Sequence, residues 1–194
     1  GVFIAGWAVA KLGLIRTMVI GAFMSPVSNL VFAWLAVQGP DLGALFIAIG
    51  IDNAATGFAG TALIAYMSSL TSLGFTATQY ALFSSLYGLP GKLIASQSGR
   101  VVEGSARAAE TGGLFAPLKG MFANLPAGSL VEGAATSGVT PAALGAGYMV
   151  FFLYSTFIGI FAVVLAFIVA RKQTELQARQ AEQAGVEAGE PRPS

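Results

Sequence analysis

An all-α, polytopic transmembrane helix bundle is the fold class this sequence predicts, and three observations predict it. Of the 194 residues, 55% are hydrophobic and only 10% charged, against roughly 25% charged in an ordinary soluble domain. Mean hydropathy is +0.74. Apolar windows near the length of about 20 residues that a helix needs to cross a hydrocarbon core recur along the chain, each bounded by charges or turn residues.

The first window is partial, residues 1–10, and ends in AKLGLIR, where Lys11 and Arg16 flank Gly13. The next runs from 17 to 37 without a charge, and QGPD at 38–41 is the turn signal that stops it. Residues 42–70 form a third window, long enough to tilt, followed by the uncharged TSLGFTATQ. A fourth spans 80–98 and contains GLPGK at 88–92; the last spans 145–170 and ends at Arg171 and Lys172. Between these two, residues 99–144 carry Arg100, Glu103, Arg107, Glu110, Lys119 and Glu132, whose charges cancel. That segment is expected to be an outward loop with short helical pieces. Residues 173–194 are polar and are expected to fray from a helix into a disordered cytoplasmic tail, leaving 1–172 as the transmembrane domain. The chain opens inside an apolar run, with neither an initiator Met nor the pattern of a signal peptide, and reads as a piece of a longer protein.

Lys11 and Arg16 share a side with Arg171 and Lys172 if four spans separate them, and the excess of basic residues makes that side cytoplasmic. With no His and no Cys in the chain, the commonest general base, the thiolate nucleophile and the zinc–thiolate ligands are all missing. No metal or cofactor is expected, and the chain does not read as an enzyme. A formal net charge of +1 gives no footprint for nucleic acid. The partners expected are the lipid bilayer, neighbouring helices and a small molecule held in a membrane pocket.

Within the windows Asp52 and Lys92 alone are ionisable. A charge at the centre of a membrane helix costs about 2.5–3.5 kcal/mol on insertion scales, so such groups face a cavity or a partner. Counted along their helices, both lie roughly 10–15 Å from the outer surface and are expected to meet near the midplane. Asp52 then acts as a proton-titrating or substrate-orienting carboxylate, with Lys92 as counter-ion or anion ligand; the plainer alternatives are a structural ion pair, or Lys92 snorkelling to the headgroups. Asn53 and Thr56 lie beside Asp52 and are candidates for lining a pocket, as are Ser84 and Tyr87. Gly50, Ala54, Gly57 and Thr61 form a small-residue stripe suited to close helix packing. Gly88, Pro90 and Gly91 are expected to break their helix, because Pro has no N–H to give, the plain alternative being a proline kink without function. Trp34, Tyr148, Phe151 and Phe152 fit an aromatic belt at the outer interface.

The stretches SNLVFAWLAVQGP, GIDNAATGFAGTALIAYMSSL and GFTATQYALFSSLYGLPGK, with GYMVFFLYSTFIG at 147–159, resemble the carboxy-terminal half of the anhydromuropeptide permeases (AmpG type) of the major facilitator superfamily. GWAVAKLGLIR is similar to that superfamily's loop motif, supplied here by Gly6, Lys11, Gly13 and Arg16, with Ala10 where the fuller motif is acidic. The resemblance implies part of the second half of a major facilitator fold, in a multi-pass symporter of the bacterial inner membrane. Such permeases import muropeptides with protons for peptidoglycan recycling, and an amino-terminal half of the same transporter would complete the site. A facilitator for an acetyl-CoA-like or drug-like molecule, or a non-transporting membrane subunit with a dry midplane, are the alternatives.

Overall fold

The structure, a computed structural model, describes residues 2–70 and 76–189. Among them every regular element is helical: α1 (Val2–Leu12), α2 (Leu14–Gln38), α3 (Leu42–Leu70), α4 (Thr76–Ser96), α5 (Ser98–Glu110), a 3₁₀ segment Ala116–Phe122, α6 (Val131–Ser137) and α7 (Pro141–Gly189). The all-α expectation is met. Among the described residues three helices are long and apolar enough to cross a membrane, over Leu14–Gln38, Leu42–Ser68 and Pro141–Arg179. The more polar α4 is not among them.

The bundle is built on α2, which packs along both α3 and α7, with α1 laid against α3. Gly13 sits at φ +84° between α1 and α2, a conformation that costs a side chain about 1–2 kcal/mol, so glycine turns the chain there. At the other end Asp41 stops the QGPD turn and starts α3: its Oδ1 accepts the Ala44 N–H at 3.1 Å and its carbonyl accepts the Leu45 N–H. Small residues set how closely the helices approach. A Cβ added to Gly21 on α2 would lie 2.9 Å from the Ala59 Cα of α3, and one added to Gly159 on α7 would lie 3.0 Å from the Pro26 Cβ of α2. The buried small residues of α3 are Ala44, Ala48, Ala55 and Ala62. Gly50, expected in the packing stripe, has open space where a side chain would stand.

Residues 99–144 fold back as a cap. The 3₁₀ segment and α5 lie on the first turns of α7 and the last of α2, around Ala33, Ala109, Phe122, Ala143, Ala146 and Met149. A second cluster joins Val102 and Ala106 of α5 to Ala134 and Leu144. Phe122 is 2% exposed, a burial worth about 1.5–3 kcal/mol. It lies against Gly145, where an added Cβ would fall 2.4 Å from its ring. Thr140 caps α7: its carbonyl accepts the Leu144 N–H and its hydroxyl the Ala143 N–H at 3.4 Å, ahead of Pro141 at the first helical position. Glu110 ties the end of α5 to this cap. Its Oε2 accepts the Thr140 N–H at 3.1 Å and the Thr140 hydroxyl at 2.5 Å, and pairs with Lys119 at 3.3 Å. These contacts, the Thr140 hydroxyl first, hold the Glu110 carboxyl below the usual carboxylate range.

Further departures from the sequence expectations lie in α4 and among the aromatic residues. Gly88, Pro90 and Gly91 do not break their helix: α4 runs through them to Ser96. One missing N–H removes a single rung, and a helix spans that gap as a kink. The apolar stretch of α7 ends at Arg171 and Lys172, and the helix runs on to Gly189. The run TELQARQAEQA has high intrinsic helix propensity, and the apolar turns before it supply the nucleus. Phe152 is packed inward, not held in a belt: it stacks on Phe32 at 5.5 Å and meets Phe151 edge-on at 5.4 Å.

Candidate functional site

Asp52 is half-buried on α3, facing α2, and its partner there is Ser28. The Ser28 hydroxyl lies 3.1 Å from the Asp52 Oδ1 and 2.9 Å from the Ser25 carbonyl. Ser28 is itself 3% exposed. Depth explains the pairing. Ser28 stands ten residues before the end of α2 at Gln38 and Asp52 ten residues after the start of α3 at Leu42, so both lie about 15 Å below the QGPD turn. Antiparallel helices joined by a short turn bring equal depths side by side.

A hydroxyl has one proton to give, so the two contacts define two arrangements. With Asp52 ionised, Ser28 donates to the carboxylate. With Asp52 protonated, the acid O–H donates to Ser28, which then donates to the Ser25 carbonyl. In both arrangements the Asp52 oxygen facing Ser28 and the Ser28 proton have a partner, which matters where no water is at hand to supply one. Pro26 lies between these residues, is buried against Gly159 of α7, and removes one N–H from the same turn of α2.

The other predicted site residues are dispersed. Asn53 is exposed and its amide donates to the Ile49 carbonyl at 2.8 Å; Thr56, one turn on, is exposed. Lys92 is exposed and makes no ion pair among the described residues, so the expected meeting with Asp52 does not occur within this chain. The reason is that α4 packs only sparingly, on α3 and α5, and does not reach the α2–α3 seam. Ser84 is exposed on α4, with Gly88 half-buried and Gly91 exposed. The side chains of Tyr87 and Pro90 lie outside the described residues. Of the loop-motif residues, Gly6 and Lys11 are exposed on α1, Gly13 makes the turn, and Arg16 stands exposed at the first turn of α2.

Sequence reasoning missed Ser28, although its equal depth with Asp52 across QGPD was a usable signal. It also missed an apolar cavity of about 310 Å³ beneath the cap, lined by Phe32, Leu35, Pro40, Leu125, Tyr148 and Phe152. No local pattern marks that cavity, because its walls come from three separate segments.

Comparison with known proteins places this geometry in context. No protein-family model matches the chain, and no solved structure matches it significantly. Among curated proteins it is 33% identical over 102 residues to "Putative transporter AmpG 4" of Rickettsia conorii, covering 53% of this chain and 25% of that protein. It is 38% identical over 96 residues to "Putative transporter AmpG 3" of Rickettsia prowazekii, covering 50% and 23%. With "Putative transporter AmpG 1" of Rickettsia bellii the figures are 30% over 102 residues, 53% and 25%. The resemblance to AmpG-type transporters therefore holds over about half of this chain, and the chain spans about a quarter of the length of the curated relatives it matches.

Proposed function

We propose that this chain is part of a proton-coupled secondary transporter of major facilitator type, importing muropeptides across a bacterial inner membrane. The observation that carries the proposal is the Asp52–Ser28 pair: a carboxylate about 15 Å deep between two apolar helices, held by a partner that fits both of its protonation states. A group so placed is costly, and membrane proteins keep such groups for proton or substrate pathways. The transporter names of the relatives support the class of activity, and the resemblance to anhydromuropeptide permeases supports the cargo.

Asn53, Thr56, Ser84 and Lys92 are exposed on this chain. In this reading they face the amino-terminal half of the transporter, with Lys92 as ligand for an anionic group of the cargo. Two halves rocking about a midplane site would alternately open it to either side. The carboxy terminus lies in the cytoplasm, with Lys11, Arg16, Arg171 and Lys172 on that side.

The test is uptake of a labelled muropeptide by cells carrying Asp52→Asn in the full-length transporter, measured across external pH. Loss of at least about tenfold in uptake, with a flattened pH dependence, is expected from removal of this carboxyl group. Unchanged uptake and unchanged pH dependence would discard the role of Asp52.

A further inference from the structure

We infer that the basic end of the α2–α7 seam is a binding site for an anionic phospholipid, independent of the transport pathway. The continuation of α7 beyond Lys172 builds it. Ile15, Val19 and Ile20 of α2 and Phe167 and Ala170 of α7 wall a groove of about 610 Å³ whose rim carries Arg16 and Arg171. Adjoining it is a polar cleft of about 750 Å³ between Gly13, Tyr66, Gln173 and Gln177. Arg16 and Thr174 line both spaces, so the two are one amphipathic trough.

Charge decides the class of ligand. Arg16 and Arg171 are exposed, and among the described residues neither pairs with a carboxylate; Glu175 alone of the acids lines the groove, against two guanidiniums. Guanidinium groups bind phosphate oxygens in a fork geometry. The rest of the trough excludes a free phosphate as its natural occupant, because the wall below the arginines is apolar and lies at the membrane end of both helices. A phosphate joined to acyl chains fits both parts at once, and basic pockets between membrane helices hold anionic headgroups in this way. The cleft side, with the Gln173 amide donating to the Tyr66 hydroxyl at 3.4 Å, offers polar groups to the remainder of a headgroup.

The test reconstitutes the full-length transporter in nanodiscs of phosphatidylcholine with a minor fraction of phosphatidylglycerol, then counts retained lipid by native mass spectrometry. Wild type is expected to keep phosphatidylglycerol in preference to phosphatidylcholine. Arg16→Gln and Arg171→Gln should each lower that retention about fivefold. Phe167→Ser should lower it with both charges intact, and millimolar inorganic phosphate should not displace the lipid. Arg107→Gln, on the cap, serves as the control. Arg171→Gln alone carries the test if Arg16→Gln does not fold. Equal retention of the two lipids, retention unaffected by either arginine, or displacement by inorganic phosphate would each overturn the proposal.

Discussion

Gly147→Ala should loosen the cap on α7, and the structure sets the sign of the effect. A Cβ at Gly147 would stand 2.5 Å from the Val102 carbonyl oxygen and 3.0 Å from the Ala106 Cβ, both on α5. The first of these is backbone and cannot rotate away, so α5 has to move by several tenths of an ångström. Alanine also gains about 0.5–1 kcal/mol over glycine inside a helix. Overpacking of this kind costs about 1–3 kcal/mol. The clash wins, leaving a net loss of about 0.5–2 kcal/mol borne by the α5–α7 contact. Gly50→Ala is the matched control, since open space surrounds that position and only the helix gain remains.

The chain contains no cysteine, so Ser105→Cys on α5, 8% exposed in the native cap, is a clean reporter in a background whose other segments are also free of Cys. Maleimide labelling at that site reads local opening, with about tenfold in rate per 1.4 kcal/mol. Gly147→Ala is expected to raise the rate roughly two- to thirtyfold over the Ser105→Cys background, while Gly50→Ala leaves it unchanged. Equal rates in all three proteins would refute the reasoning, as would acceleration by the control.

Further outcomes follow from the same contacts. Ser28→Ala removes the hydroxyl that serves Asp52, at a cost of about 0.5–1.5 kcal/mol. Uptake should fall less than with Asp52→Asn while its pH profile shifts; an unchanged profile would deny Ser28 any part in proton handling. Thr140→Ala deletes the cap of α7 and should lower thermal stability by about 0.5–2 kcal/mol in melts of the purified transporter. Glu110 titrates below the ordinary carboxylate range because Thr140 and Lys119 favour its charged form. Its stabilising effect is therefore complete above the ordinary carboxylate value and is lost as pH falls through the lowered one. Protection of the Thr140 amide and those of residues 142–144, taken relative to their intrinsic exchange rate at each pH, should fall over that acid window in wild type, whereas Glu110→Gln should show low protection at every pH and no such step.

Composition was enough to establish the class of molecule. With charge at 10% and apolar runs of bilayer length, helices are the economical way to satisfy backbone groups away from water, and the turns at Gly13 and QGPD follow from residues that accept or impose special backbone angles. The depth of Asp52 was legible for the same reason, since helix rise converts residue number into distance. Its partner was not settled by that arithmetic: depth alone allowed Lys92, and only packing decided for Ser28, because α3 presents this face to α2 and α4 stays apart. The cap over α7, the groove between Arg16 and Arg171, and the inward turn of Phe152 also belong to tertiary structure. Each joins side chains from segments far apart in sequence, and what one helix touches depends on the rotation and spacing of its neighbours, which close contacts such as Gly21 on Ala59 and Gly159 on Pro26 determine.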